Sequence, residues 1–356
     1  MNNSTARVRV GLLLLLLSMS FHTAIPAVAQ SKAESSVAES ALYQGENRLQ
    51  RLIEGAKKEG ELTVYAVGPD MALITDAFTK KYGIKVKAWR SSSENVLRRV
   101  LTEARAGRFE VDIMENNPLE MEALRREKML QRVNSPYHGD LMPQAVPEHK
   151  EWVAGSIAVF VQAYNTDKVK KEDLPKTYQD LLDPKWKGRL GIDGGDHAWF
   201  ATLLQKLGQE KGTRLFKEIV DTNGISVRKG HSLLTQMVSS GEVPLGLTIY
   251  NNRPVQLKQK GAPIEWFVIP PTIAQHRTIG LLRKASHPHA AVLFYDFMLS
   301  DAQEILFKQH YVPTSTKFNT PLTKLPLTFI DPALSVDLNN KWLKDYEEAV
   351  TKRARQ

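Results

Sequence analysis

The chain contains no cysteine among its 356 residues. Disulfide frameworks, thiol catalysis, cysteine metal ligation and thiol-anchored lipids are therefore excluded. Long hydrophobic runs are scarce too. After the N-terminal run, no segment approaches the ~20 uninterrupted apolar residues that a membrane helix needs. Short chemical motifs are also missing: there is no G-x-S-x-G, no G-x-x-x-x-G-K-[ST], no G-x-G-x-x-G and no H-E-x-x-H. The nine histidines are scattered, apart from His287 and His289, which flank Pro288 in a turn. Lysines are spread along every predicted helix, so the net charge of +9 reads as a solvated surface and not as a nucleic-acid patch.

What is present begins with a leader. Arg7 and Arg9 precede the run Gly11–Ser18, and Ala27-Val-Ala29 follows Pro26, giving the three regions of a secretory signal peptide. Cleavage after Ala29 removes two arginines and no acids, and leaves a protein expected in the periplasm. The length exceeds what one hydrophobic core usually serves, so two lobes are expected. The boundaries read as a signal peptide over 1–29, a flexible leader and docking helix over 30–58, lobe 1 over 59–157 plus 275–330, lobe 2 over 158–274, and a helical tail over 331–356. Leu49, Leu52 and Ile53 mark the docking face of the leader helix.

From Glu61 onward, strand and helix alternate. Leu62–Val67 reads as a buried strand, Ile84–Trp89 as an alternating one, and the helix between them makes a right-handed parallel unit. Ser91, Ser92 and Ser93 then lead into a helix, with Ser91 and Glu94 spaced as a capping box. Three serines exceed what capping needs, and hydroxyls at a helix start suit an anion. Val111–Met114 is a third strand, with Glu115, Asn116 and Asn117 at its carboxyl end. Trp152–Tyr164 is one long β-prone run, expected to cross between lobes, and Thr278–Leu282 starts a strand expected to return.

In the second half, polar residues again gather at strand ends. Ile192 is followed by Asp193, Asp196 and His197, Val227 by Arg228, and the run Val243–Ile249 by Tyr250, Asn251, Asn252 and Arg253. In open α/β sheets, such positions are where ligands sit. Trp199 and Trp266 read as core. Arg253 is either a ligand contact or a side chain lying along its own helix.

Several stretches resemble the type II periplasmic substrate-binding proteins of ABC importers: LTVY at 62–65, SSSENVLRRV at 91–100, YNTDKV at 164–169, LPKTYQDLLDPKWKGRLGI at 174–192, GEVPLGL at 241–247 and HPHAAVLFYDFMLS at 287–300. The similarity runs from about Glu61 to Thr316 and is closest to the branch usually labelled iron(III)-binding. It implies an α/β fold of two Rossmann-like lobes joined by a hinge, a small ligand trapped on closure, and docking of the closed form on a permease. Iron binders of that branch use a histidine after the first strand, a carboxylate after the third and adjacent tyrosines after the strand equivalent to 243–249. Here those positions fall near Pro69, Asn117, Asn251 and Asn252. Neutral amides suit Fe³⁺ poorly, and Tyr65, Glu115 and Tyr250 would replace them only in a shifted register.

The expected function is thus a periplasmic receptor, not an enzyme, that clasps a small anionic or polar ligand, a ferric chelate included. The expected contacts are Tyr65, Ser91, Ser92, Ser93, Asn116, Asn117, Asp196, His197, Arg228, Tyr250, Asn251 and Arg253. No cofactor, resident metal or nucleic acid is expected, and the protein is expected to be a monomer served by an inner-membrane permease. The alternatives are direct Fe(III) binding and a secreted hydrolase using Asp193, Asp196 and His197.

Overall fold

The computed structural model describes residues 27–355, with side chains from 34 to 354. Most of the expected signal peptide, 1–26, lies outside the described residues. The stretch expected to be a flexible leader is helical: α1 (Ala27–Leu42) and α2 (Arg48–Glu59) precede the first strand. Val37 and Ala41 of α1 and Leu52 and Ala56 of α2 are buried in the lobe 1 core. Leu49, expected on the docking face, is exposed instead. Its neighbour Arg48 turns inward to pair with the buried Asp296.

Lobe 1 continues with β1 (Glu61–Ala66), α3 (Met71–Tyr82), β2 (Lys85–Arg90), α4 (Ser93–Arg105), β3 (Ile113–Asn116), α5 (Pro118–Arg126) and β4 (Leu130–Gln131). β1 lies between β2 and β3, parallel to both. Leu62, Val64 and Ala66 of β1 join one apolar core and Tyr65 another, so this strand is covered on both faces. The crossing strand β5 (Trp152–Asn165) is buried along its whole length.

Lobe 2 holds β6 (Leu190–Asp193), α6 (His197–Leu207), α7 (Gln209–Asn223), β7 (Ser226–Arg228), α8 (His231–Ser240), β8 (Leu245–Tyr250), α9 (Asn252–Gln259) and β9 (Ile264–Phe267). β6 sits parallel between β7 and β8, and its core includes Trp186, Trp199, Phe200 and Phe216.

The chain returns through β10 (Thr272–Leu282), then α10 (Pro288–Leu299), α11 (Asp301–Lys308), β11 (Val312–Pro313), β12 (Leu327–Phe329), α12 (Pro332–Asp337) and α13 (Asn339–Tyr346). The sheet is continuous in the order β2-β1-β3-β10-β5-β8-β6-β7. β10 starts six residues before the expected Thr278, because Gln275, His276 and Arg277 interrupt the apolar pattern without interrupting the ladder. β5 pairs with β10 through Val159 and with β8 from Phe160. The two crossing strands are therefore shared by both halves. The β10 register shifts between Arg277 and Thr278, and such irregularities re-aim side chains.

The C-terminal helices touch both halves. α12 packs on α5 in lobe 1, where Arg126 binds Asp337 and the Ala333 carbonyl, while α13 packs on α6 in lobe 2. No helix among the described residues is long and apolar enough to cross a membrane.

Candidate functional site

The carboxyl ends of the strands of both halves meet beside β10, and Arg277 stands where they meet. Its Nη1 donates to Asn117 Oδ1 at 2.8 Å, and its guanidinium lies 4.8 Å from the centre of the Tyr250 ring. Lobe 1 supplies one wall. Asn117 Nδ2 donates to Ser93 Oγ at 2.5 Å, which fixes the start of α5 against the start of α4. Beside it, Glu115 Oε2 accepts the backbone N–H groups of Val67 and Gly68 at 2.9 and 2.8 Å. A small cavity of about 30 Å³ is lined by Gly68, Asp70, Glu115, Ser156, Arg277 and Tyr311 among others.

Lobe 2 supplies the other wall. The Tyr250 hydroxyl accepts from Gln275 Nε2 at 2.7 Å, and its ring packs 3.9 Å from the His231 ring. Burial raises the Tyr250 hydroxyl well above its ordinary value, so it stays a neutral phenol. Behind it, Asp196 Oδ1 lies 3.2 Å from His231 Nε2, and His231 Nδ1 lies 3.1 Å from the Thr248 carbonyl. Burial alone would lower the His231 pKa, but the Asp196 and Asp193 carboxylates outweigh it and raise the value to about 9. The imidazolium thus donates on both sides.

Asp193, Asp196 and His231 offer donor atoms within 4.8 Å of one another, a geometry able to hold a metal ion. Their contacts point elsewhere. The Asp193 oxygens accept the N–H groups of Gly195 and Gly230 at 2.8 and 2.6 Å, the latter from a glycine at φ 108. Among the side-chain oxygens and ring nitrogens of these three residues, Asp196 Oδ2 is buried without a hydrogen-bond partner.

At one end of the cleft Asp70 accepts from the Tyr311 hydroxyl at 2.7 Å and from Gln256 Nε2 at 3.2 Å, tying the start of α3 to α9 across the halves. At the other end, His197 Nε2 meets Asn339 Oδ1 at 2.8 Å, so the C-terminal tail lies along that edge.

This geometry brings Ser93, Asn117, Asp196, His197, Tyr250 and Arg253 around one cleft, with Arg253 held by Gln256 and 3.9 Å from Asp70. Six other expected residues stand differently. Tyr65 is in the core between β1 and α4, its hydroxyl 2.8 Å from Glu103 Oε1. The capping box does not form: α4 starts two residues after Ser91, whose hydroxyl accepts from Asn95, and Ser92 is an exposed N-cap without a side-chain bond. Asn116 is fully buried and bonded to the Ser93 carbonyl and the Asn117 N–H. Arg228 contacts Met237 and its own neighbour's carbonyl on the β7 edge. Asn251 is turned inward, accepting from the Val159 N–H at 3.2 Å and donating to the His310 carbonyl at 3.1 Å.

Residues 118–327 match the family of bacterial extracellular solute-binding proteins, more than half of the chain. The chain belongs to that family. Among its relatives, a Fe(3+)-binding periplasmic protein of Serratia marcescens is 30% identical over 181 residues, 50% of this chain and 53% of that protein. The match thus spans about half of that relative's length. Iron uptake protein A1 of a Synechocystis species is 25% identical over 272 residues, covering 71% of this chain and 74% of that protein. Two solved structures share the fold. AfuA of Actinobacillus pleuropneumoniae, with fructose-6-phosphate bound, superimposes with a TM-score of 0.72 at 23% identity, covering 82% of this chain and 99% of that one. Iron-bound HitA of Pseudomonas aeruginosa gives 0.68 at 22% identity, covering 83% and 98%.

Sequence reasoning did not single out three residues that the structure places around Tyr250: Arg277, Gln275 and His231. Arg277 and Gln275 were hidden in the polar middle of β10, and His231 read as the tail of a turn. A signal existed for Arg277, namely an arginine between two apolar strand segments that have to pass between lobes.

Proposed function

We propose that this chain is a secreted receptor that clasps a small anionic or polar ligand between its two lobes and delivers it to an ABC permease of the inner membrane. The observation that carries the reading is Arg277: a half-buried guanidinium on a strand shared by both lobes, flanked by Asn117 of one and Tyr250 of the other. A guanidinium fork of this kind suits a carboxylate or phosphate. Closure then follows from the ligand's greater affinity for the state in which both walls reach it. The hinge is proposed to fall near 157–158 in β5 and 274–275 in β10, and the leader to place the protein in the periplasm.

The iron-binding names of the relatives favour a second reading, direct capture of Fe(III). Against it, the resemblance puts that branch's tyrosine pair near Asn251 and Asn252, and Asn251 is engaged with the Val159 N–H and the His310 carbonyl. The hydrolase alternative loses its carboxylate pair, since both oxygens of Asp193 hold backbone amides.

Thermal-shift screening of carboxylates, phosphates, phosphonates, sugars, polyamines and ferric salts tests the proposal. A ligand at 100 times its Kd stabilises by about 2.7 kcal/mol. A response to anions, lost in Arg277→Ala, is expected. A response to ferric ion alone transfers the assignment to iron, and no response to any of them counts against a receptor.

A further inference from the structure

The C-terminal tail holds the two lobes with unequal strength. It leaves the hinge at β12, which pairs with Thr272–Ala274 of β10, and the Ile330 N–H donates to the Ala274 carbonyl at 2.9 Å. Its far end is built into lobe 2. Ile330, Tyr346, Ala349 and Val350 belong to the apolar core of that lobe, each at most 2% exposed. The Tyr346 hydroxyl donates to the Asp193 carbonyl at 2.6 Å, and Arg353 pairs with Asp221 of α7. Burial of this extent fixes the tail to lobe 2.

The hold on lobe 1 is of another kind. Between its two anchored ends the tail lays α12 against α5, where Arg126 donates to the Ala333 carbonyl at 3.2 Å and pairs with Asp337. Arg126 and Asp337 are 34% and 53% exposed, and an exposed ion pair contributes little, so this contact forms and breaks readily. Leu334 and Leu338 of the same segment are exposed and add no buried face. Just beyond, Asn339 shares a groove of about 300 Å³ with Leu97 and Leu101 of α4 and Leu119 of α5. A groove, not a packed core, thus separates this part of the tail from lobe 1. The contact also lies at the cleft edge, since Asn339 bonds His197 at the start of α6. Rotation of the lobes about β5 and β10 would part α5 from α6, and the tail would travel with α6.

We propose that residues 331–338 are a strap: a segment carried by lobe 2 that grips α5 of lobe 1 through Arg126 in the closed form and lets go as the cleft opens. This rests on the two-lobe closure of the receptor reading and adds a contribution to closure that comes from the protein itself. Because the grip favours the closed state whatever is bound, it scales the affinity for every ligand by one factor and does not select among them.

The test reads the cleft directly. The chain has no cysteine, so Glu94→Cys and Lys229→Cys give two unique sites for nitroxide labels. These side chains face each other from α4 of lobe 1 and the β7–α8 turn of lobe 2, 4.0 Å apart and 74% and 86% exposed. The pair they form is expendable for the same reason. Pulsed electron–electron double resonance on the labelled mature chain, without added ligand, gives the populations at short and long separation. Asp337→Arg sets two cations against each other and should raise the long-to-short ratio by about two- to five-fold, the scale of one exposed ion pair. Asp337→Asn should shift it in the same direction by less. In an Arg126→Ala background, where Glu122 keeps Arg125, Asp337→Arg should have no further effect. Thermal melting checks that each variant is folded. An unchanged distance distribution in both Asp337 variants overturns the strap, and so does an equal shift with and without Arg126. The readout needs no ligand, so a failed ligand screen counts against the receptor reading, and an unmoved cleft counts against the strap alone.

Discussion

The Arg277 guanidinium sits 4.8 Å from the centre of the Tyr250 ring while its Nη1 donates to Asn117 Oδ1 at 2.8 Å. One side chain on a hinge strand thereby touches a strand end of each lobe. The cation–π contact and the single hydrogen bond to Asn117 together orient the fork.

Replacing Arg277 with alanine should therefore weaken the tightest anion of the screening panel by roughly 10- to 100-fold, the range for a charge-assisted hydrogen bond of about 1.5–3 kcal/mol. Arg277→Lys should recover only part of this, because an ammonium keeps the charge and loses the planar fork. Titration calorimetry of both variants decides it, and an unchanged Kd in Arg277→Ala would remove this residue from the site.

Asn251 is expected to matter for stability and not for chemistry. Its amide holds the Val159 N–H of β5 and the His310 carbonyl, and the residue is 4% exposed. Asn251→Ala leaves both backbone groups unpaired, each at about 1–3 kcal/mol. Urea unfolding should show that loss, whereas ligand affinity measured well below the melting temperature should change little. A large affinity loss with unchanged stability would return Asn251 to the ligand's contacts.

Most of the fold was legible because its signals are local. Alternation marks Lys85–Arg90, the apolar run marks β5, and glycines at 60, 83 and 241 end helices in the left-handed conformation. The site was legible only in part, since its residues depend on which way a strand end turns. Tyr250 and Asn251 are adjacent and equally polar in appearance. One faces the cleft and the other the hinge, a difference set by pairing with Val159 that no spacing encodes. The leader was misjudged for a similar reason: among its described side chains Val37 and Ala41 are the hydrophobic ones in the lobe 1 core, too few to give a clear apolar stripe, while Glu34 and Glu39 pair with Lys284 and Arg51.

The leader's successor, α2, is fastened by the pair of Arg48 and Asp296, whose side chains are 9% and 5% exposed and which Ser135 also joins. Removing one partner strands a buried charge, so Arg48→Ala should cost about 3–5 kcal/mol. Arg48→Ala combined with Asp296→Ala should cost less than the two single changes added together. Chemical denaturation of the three variants measures this, and additive losses would mean the pair is not coupled.

Acid should expose opposing titrations in the same protein. Burial raises Glu120 from 4.5 to about 7, with Glu94 adding to the rise and Arg277 opposing it. Its folded pKa exceeds the unfolded one, so the stability it confers is full below about 4.5 and is lost as pH rises through about 7. Glu120→Gln should therefore raise the melting temperature at pH 8 and do little at pH 4, with an effect on the order of 3 kcal/mol or less. Burial has the reverse effect on His138 and His276, lowering both from 6.5 to about 4, with Lys150 and Arg48 adding to the shift at His138. These groups stabilise the fold above about 6.5 and lose that contribution as pH falls through about 4. The windows overlap with opposite signs. His276 separates the two terms. Both its ring nitrogens are buried and unpartnered, and its ring stacks on Phe329 at 4.7 Å. His276→Phe should raise the melting temperature at pH 7 by removing two unpaired polar atoms, and flatten the acid limb of the stability curve. Melting curves from pH 4 to pH 8 check both effects, and an acid limb unchanged in His276→Phe would assign the titration elsewhere.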